Sequence, residues 1–167
     1  MNKTQKSALI WITTLLKKYQ IPFQLTGGFA ARVYGASRPL ADIDIDIPND
    51  KFEIIKKDVS EFVTYGPEHF KSDKWDLLLM TLNYQGQEID LSGIDHTKIF
   101  DDKRGLWVEL SGNLSQATIC NIDELILPVI PKSNLIAYKK ILARPEDIVD
   151  VNEMGCKNKN YNRIHDS

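Results

Sequence analysis

The sequence predicts an α+β domain, a mixed β-sheet with helices packed on one side. Three observations carry that prediction. Apolar residues recur at helical spacing near both ends of the chain, over residues 4–19 and 132–154. Between them, Asp42-Ile43-Asp44-Ile45-Asp46-Ile47 alternates with the period of a strand. The apolar run Trp75–Tyr84, the turn pair Gln85-Gly86 and the run Gln87–Ser92 read as a β-hairpin.

The elements follow in order. Ala8, Leu9, Ile12, Leu15, Leu16 and Tyr19 mark one face of a helix over residues 4–19, which Pro22 ends. Lys3 and Lys6 ahead of this stretch faintly suggest a secretion signal. Lys17-Lys18 follows at once, however, with no small-residue cleavage site, so a helix packed on the body is expected. Phe23–Thr26 is a short strand, broken by Gly27-Gly28, and Phe29–Tyr34 continues as a second helix. Gly35–Pro39 is a loop. The Asp/Ile strand stops at Pro48-Asn49-Asp50, which can cap a helix over about 51–60. Beyond the hairpin, Lys98–Phe100, Leu106–Val108 and Ala117–Ile122 are short strands. Pro128 and Pro131 mark a loop, and Leu135, Ile136, Tyr138, Ile141 and Leu142 a helix with Ser133 as its cap. Pro145 suits the first turn of a last helix. The organisation expected is one domain over 1–154, with its core at 23–122, and a mobile polar tail over 155–167.

Composition excludes several classes. At 43% hydrophobic and 26% charged residues, disorder over most of the 167 positions is ruled out. The balance of 21 basic and 23 acidic residues gives a net charge of −2. Binding to nucleic acid through bulk charge is therefore disfavoured, although a local basic patch stays open. Cys120 and Cys156 lack metal-type spacing and give no reason to invoke an oxidising compartment. No run of 18 apolar residues occurs, so no membrane helix is expected and the chain is expected to be cytoplasmic. His69, His96 and His165 are isolated and read as surface residues. Trp11, Trp75 and Trp107 read as packing residues.

The chemistry concentrates in Asp42-Ile43-Asp44-Ile45-Asp46. In a strand the three aspartates share one face and the isoleucines the other. Aspartate is depleted in strands, so the acidic face is unusual. Same-face carboxylates about 6.7 Å apart repel by roughly 2.5 kcal/mol at an effective dielectric near 20. Exposure to water or a bound divalent cation offsets that, and a hard cation such as Mg²⁺ suits clustered carboxylates and phosphates. Upstream, Leu25-Thr26-Gly27-Gly28 is a strand entering a glycine pair that opens a helix. Such a helix start can bind an anion, and glycine allows close approach of a phosphate. A plain turn also explains it.

The stretch from Gly27 to Ile47, with the glycine pair, a helix, the basic Arg38 and then Asp-Ile-Asp, resembles the nucleotidyltransferase superfamily with the DNA polymerase β type of catalytic core. It is most similar to the small lincosamide and aminoglycoside nucleotidyltransferases, and to small nucleotidyltransferase-like proteins labelled MazG-related. The paired-glutamate helix of true MazG pyrophosphohydrolases is not visible, and that activity is not implied. The resemblance implies a nucleotidyltransferase-like core. Asp42 and Asp44 would be metal ligands, and Asp90, in Gln87-Glu88-Ile89-Asp90-Leu91, the third catalytic and metal-binding carboxylate. Glu88 rivals Asp90, and Asp46 is an extra carboxylate. Gly27, Gly28, Arg38 and Lys139, with Lys140 the alternative to Lys139, would bind the nucleotide. Arg32 could reach a phosphate or lie on an exposed helix face. Arg144, Asp147 and Asp150 read as an ion-paired helix cap. The implied cofactors are two Mg²⁺ ions, with an NTP, ATP by preference, as substrate. The implied reaction is transfer of an NMP group to a hydroxyl, with pyrophosphate released. A small-molecule acceptor is favoured over tRNA or a protein, and a non-catalytic nucleotide- or partner-binding domain is the remaining alternative. The antibiotic-modifying enzymes are expected to carry more chain after the core than the little that follows residue 150 here, so a homodimer could complete the acceptor site.

Overall fold

Among the residues that the computed structural model describes, 1–156, nine strands form one mixed sheet with helices packed on one face. Residues 157–167, which include most of the expected tail and His165, lie outside the described residues. The elements are α1 (Lys3–Lys18), β1 (Gln24–Leu25), α2 (Gly27–Val33), β2 (Asp42–Ile47), α3 (Phe52–Val59), β3 (Val63–Lys71), β4 (Trp75–Tyr84), β5 (Gln87–Gly93), β6 (Lys98–Asp101), β7 (Leu106–Glu109), β8 (Thr118–Ile122), β9 (Leu125–Val129), α4 (Lys132–Leu142) and α5 (Pro145–Cys156). The sheet runs β7-β6-β4-β5-β2-β1-β9-β8, with β3 on β4. Only β2–β5 and β1–β9 pair in parallel. Among the described residues, no helix is long and apolar enough to cross a membrane.

Local chemistry explains the helix ends. Asn2 caps α1 by accepting from the Gln5 amide at 2.8 Å, and the Gln5 side chain accepts from the Asn2 N–H at 3.0 Å. Lys17 and Lys18 sit at its C-terminal end, where the helix dipole favours cations. The core sits between the helices and one face of the sheet. Ala8, Leu9, Ile12 and Leu16 of α1 and Ile55 and Val59 of α3 bury against Ile43, Ile45, Ile89 and Leu91 of β2 and β5. Trp11 joins this packing, stacked on Tyr84 with ring centroids 4.3 Å apart.

The structure departs from the sequence reading in four places. β3 was not expected; it pairs irregularly with β4, and its Gly66-Pro67 and many exposed residues hide the strand pattern. Pro128 lies inside a strand, β9, rather than in a loop. β1 is only two residues long and pairs with β9 at Val129 alone, so Pro128 is tolerated there. α4 starts at Lys132 with Pro131 at the cap position, so Ser133 is not the cap. Gly155 and Cys156 belong to α5, not to a tail.

A buried ion network ties α4, α5 and the loop after α2 together. The Lys139 ammonium, 2% exposed, lies 2.8 Å from Asp147 and 3.0 Å from Asp150. Asp150 also meets Arg38 at 3.2 Å, and Asp147 meets Arg144 at 2.7 Å. Arg144 and Lys139 hold the Asp147 carboxyl below its ordinary range against the opposing effect of burial. Lys139→Met leaves both buried carboxylates short of a cation and is expected to cost about 3–5 kcal/mol. Ile119→Ala, at a β8 position that is 46% exposed, should change stability by less than about 0.5 kcal/mol. Urea unfolding of both variants measures the contrast.

Candidate active site

The alternation of β2 divides it into two faces. Ile43, Ile45 and Ile47 are fully buried, while Asp42, Asp44 and Asp46 are half-buried on the opposite face. The parallel register with β5 sets Asp42 beside Glu88, Asp44 beside Asp90 and Asp46 beside Ser92. One carboxylate oxygen each from Asp42, Asp44 and Asp90 lies within 4.8 Å of the others. Glu88 is exposed, Asp46 stands one row further along, and neither joins this cluster among the described residues.

The cluster is electrostatically strained. Burial, then the neighbouring Asp42 and Asp90 charges, push the Asp44 carboxyl up to about 7. Burial also raises Asp90, although the Thr81 hydroxyl donates to it at 2.6 Å and works the other way. None of the three makes an ion pair among the described residues. Three convergent carboxylate oxygens are the donor set a small divalent cation such as Mg²⁺ takes.

Gly27 and Gly28 border this cluster for steric reasons. Gly27 has φ +58°, and a Cβ there would lie 1.8 Å from Asp44 Oδ2, so only glycine lets the carboxylate lie against the turn. A Cβ on Gly28 would press on the Arg38 guanidinium at 2.9 Å. The Gly27 N–H donates to Tyr138 Oη at 3.0 Å and the Gly28 N–H to Asp44 Oδ2 at 3.2 Å. Both amides expected to meet phosphate therefore already have protein acceptors.

Arg38 is held by Asp150 but keeps its side chain 34% exposed. Arg32 reaches no site: its Nη1 donates to the Arg38 carbonyl at 3.0 Å and steadies that loop. Lys139 is buried between Asp147 and Asp150, whereas Lys140 lies on the exposed side of α4. Asp42, Asp44, Asp90, Gly27, Gly28, Arg38 and Lys139 all border a single cavity of about 610 Å³. α4 packs against β6 of the curled sheet and lends Asn134, Ala137, Tyr138 and Ile141 to the cavity wall.

Sequence reasoning missed several residues that border the cavity or hold its carboxylates. Thr81 was recoverable: a two-residue turn at Gln85-Gly86 fixes the hairpin register that sets Thr81 opposite Asp90. Tyr138, buried against Thr26 and Gly27, has the pattern of an ordinary apolar helix position. Gln24 depends on the β1–β2 pairing, which no local pattern announces. Trp75 is not only a packing residue, since it also forms cavity wall, edge-on to Tyr138. Trp107 lies outside the core cluster, edge-on to Phe100 with Lys71 over its ring. His69 and His96 pair with Asp76 and Glu109 on the surface.

No sequence-family model matches the chain, and no curated protein is recovered by its sequence. Solved structures do match. A presumed nucleotidyltransferase of Thermotoga maritima superposes with a TM-score of 0.70 at 19% identity, over 91% of this chain and 93% of its own. The lincosamide antibiotic adenylyltransferase LnuA, bound to lincomycin, gives 0.63 at 16% identity, over 93% of this chain and 99% of its own. The antibiotic-resistance factor ANT(2″)-Ia, in complex with adenylyl-2″-tobramycin, gives 0.60 at 14% identity, over 91% and 88%. The chain spans nearly the whole length of both of these proteins as solved. The chain thus shares the fold of these solved structures, and among its described residues it carries a cluster of three carboxylates able to hold a divalent metal.

Proposed function

We propose that this protein is a metal-dependent nucleotidyltransferase that moves an NMP group from an NTP, ATP by preference, to a hydroxyl of a small-molecule acceptor. The convergence of Asp42, Asp44 and Asp90 carries the proposal, and the shared fold supports it. The names of two structural neighbours, an adenylyltransferase and a protein holding an adenylylated aminoglycoside, favour ATP and a small acceptor.

In this reading Asp42, Asp44 and Asp90 hold the metal. When bound, Mg²⁺, two ions in the full site, supplies charge stabilisation for the entering and leaving oxygens. Asp90 draws the proton from the acceptor hydroxyl, with its carboxylate oriented by Thr81. Arg38 offers its partly exposed guanidinium to the phosphates. Lys139 contributes positive charge from behind, because its ammonium is committed to two carboxylates. The Gly27-Gly28 turn leaves room for a phosphate, and the Gly28 N–H, which donates to Asp44, would be a donor for it if Asp44 were taken up by a metal. The −2 net charge weighs against tRNA as acceptor. Transfer to tRNA or protein and non-catalytic binding of nucleotide are outcomes of the same test.

Labelled ATP, GTP, CTP and UTP offered with Mg²⁺ to a metabolite pool and a tRNA pool should label a small molecule. Asp42→Ala with Asp44→Ala should abolish transfer and magnesium-dependent nucleotide binding. Persistence of both in the double variant contradicts the assignment.

Protonation gives an independent check. The Asp44 carboxyl binds a proton more tightly folded than unfolded, so the metal-free chain loses stability as pH rises from about 4 through about 7. Asp44→Asn removes that loss and should stabilise the metal-free protein by about 1–3 kcal/mol at pH 8, with much less effect at pH 4.5. Mg²⁺ should raise the wild-type melting temperature at pH 8, do so weakly at pH 5.5, and leave Asp44→Asn unmoved. Thermal melts with and without Mg²⁺ measure all three.

A further inference from the structure

The cavity continues one row past the metal-ligand carboxylates. There Asp46 pairs with Gln24 of β1 on one side and Ser92 of β5 on the other. Gln24 is 3% exposed. Its Nε2 donates to Asp46 Oδ2 at 2.8 Å, which fixes the direction of the amide. The other end of that amide, Oε1, is buried and has no hydrogen-bond partner among the described residues. A buried acceptor without a donor is rare in folded proteins and calls for an explanation. Gln24, Asp46 and Ser92 all border the cavity, and Trp75, Leu77, Leu79 and Val108 supply an apolar wall to the same space.

Two acceptors stand out in this row beside the Ser92 hydroxyl, which can donate or accept. Gln24 Oε1 and the Asp46 carboxylate can only accept hydrogen bonds. A phosphate or carboxylate on a ligand would meet repulsion here, and the cationic Arg38 lies by Gly28, away from this row. A group with several N–H or O–H bonds would satisfy both acceptors, and the apolar wall would cover the rest of its carrier.

We propose that Gln24 and Asp46 form a specificity subsite for an amine or hydroxyl group borne on an apolar or aromatic body, belonging to one of the two substrates of the transfer. This rests on the nucleotidyltransferase reading for what the ligand is used for, and on the geometry alone for what the subsite selects. Asp46 is here a recognition group and not a third metal ligand of β2.

Three probes sharing one body test it: phenethylamine, 2-phenylethanol and 3-phenylpropionate, followed by Trp fluorescence and ligand-observed NMR. The wild type should bind the amine at least tenfold tighter than the carboxylate, with the alcohol between them. Asp46→Asn and Gln24→Leu, each checked for folding by circular dichroism, should lower the amine-to-carboxylate ratio at least fivefold. The magnesium-induced thermal shift should survive in Asp46→Asn and vanish in Asp44→Asn. Comparison of ATP with purine riboside triphosphate, which lacks the exocyclic amine, locates the selected group. A preference for ATP that Asp46→Asn erases assigns the subsite to the base. An ATP affinity that Asp46→Asn leaves alone, with the aryl amine affinity reduced, assigns it to the acceptor. Equal or absent binding of the three probes, an unchanged ratio in both variants, or loss of the magnesium shift in Asp46→Asn overturns the proposal. Failure of wild-type protein to bind Mg²⁺·ATP contradicts the transferase reading instead, and leaves the amine preference to be read by itself.

Discussion

Everything at the centre of this molecule depends on the in-register parallel pairing of β2 with β5. That pairing sets Asp44 directly against Asp90, on a strand that already carries Asp42 on the same face. A shift of one residue would turn Asp90 into the core and bring Ile89 or Leu91 out. The other face prevents such a slip. Ile43, Ile45, Ile47, Ile89 and Leu91 are all fully buried, and each contributes about 1.5–3 kcal/mol by leaving water. Neighbouring carboxylates on β2 repel by roughly 2.5 kcal/mol per pair. The apolar face therefore outweighs the acidic one, and the strand can hold like charges together until a cation relieves them.

The C-terminal helices connect this sheet to the rest of the site. α4 presents Tyr138 and Lys139 in succession, on different sides of the helix. Tyr138 reaches the turn at Gly27, and Lys139 anchors Asp147 and Asp150 of α5. Asp150 in turn fixes Arg38, whose guanidinium lies over Gly28. The buried ion network thus positions a partly exposed cation at the cavity. Apart from the i,i+3 pair Arg144–Asp147, which the sequence does suggest, its members are too far apart for helix periodicity alone to link them. Burying them is costly unless every charge is paired, and the chain meets that condition with two cations beside each aspartate.

Most of the sheet was legible because its central strands obey simple periods. Asp42–Ile47 alternates perfectly, and the hairpin around Gln85-Gly86 carries both its turn and its register in sequence. The glycine pair was legible as a constraint but not in its cause: Gly27 is needed because Asp44 lies against it, a contact between residues 17 positions apart. β3 and β9 were hidden by Pro67 and Pro128, which argue against strands when read locally. Asp42, Asp44, Asp90, Gly27, Gly28, Arg38 and Lys139 border the cavity while Glu88, Lys140 and Arg32 do not, and the partners that shape the former were mostly invisible. Gln24, Tyr138 and the pairing of Lys139 with α5 depend on long-range contacts that follow from the assembled sheet rather than from any local pattern.

The most direct measurement is diffraction from crystals grown with Mn²⁺ and a non-hydrolysable ATP analogue, collected at the manganese absorption edge. The account predicts an anomalous peak bridging Asp42, Asp44 and Asp90, within about 2.0–2.6 Å of an oxygen of each, the range for oxygen-ligated divalent ions. Manganese bound elsewhere with this cluster empty, or no ordered manganese at all, would contradict it.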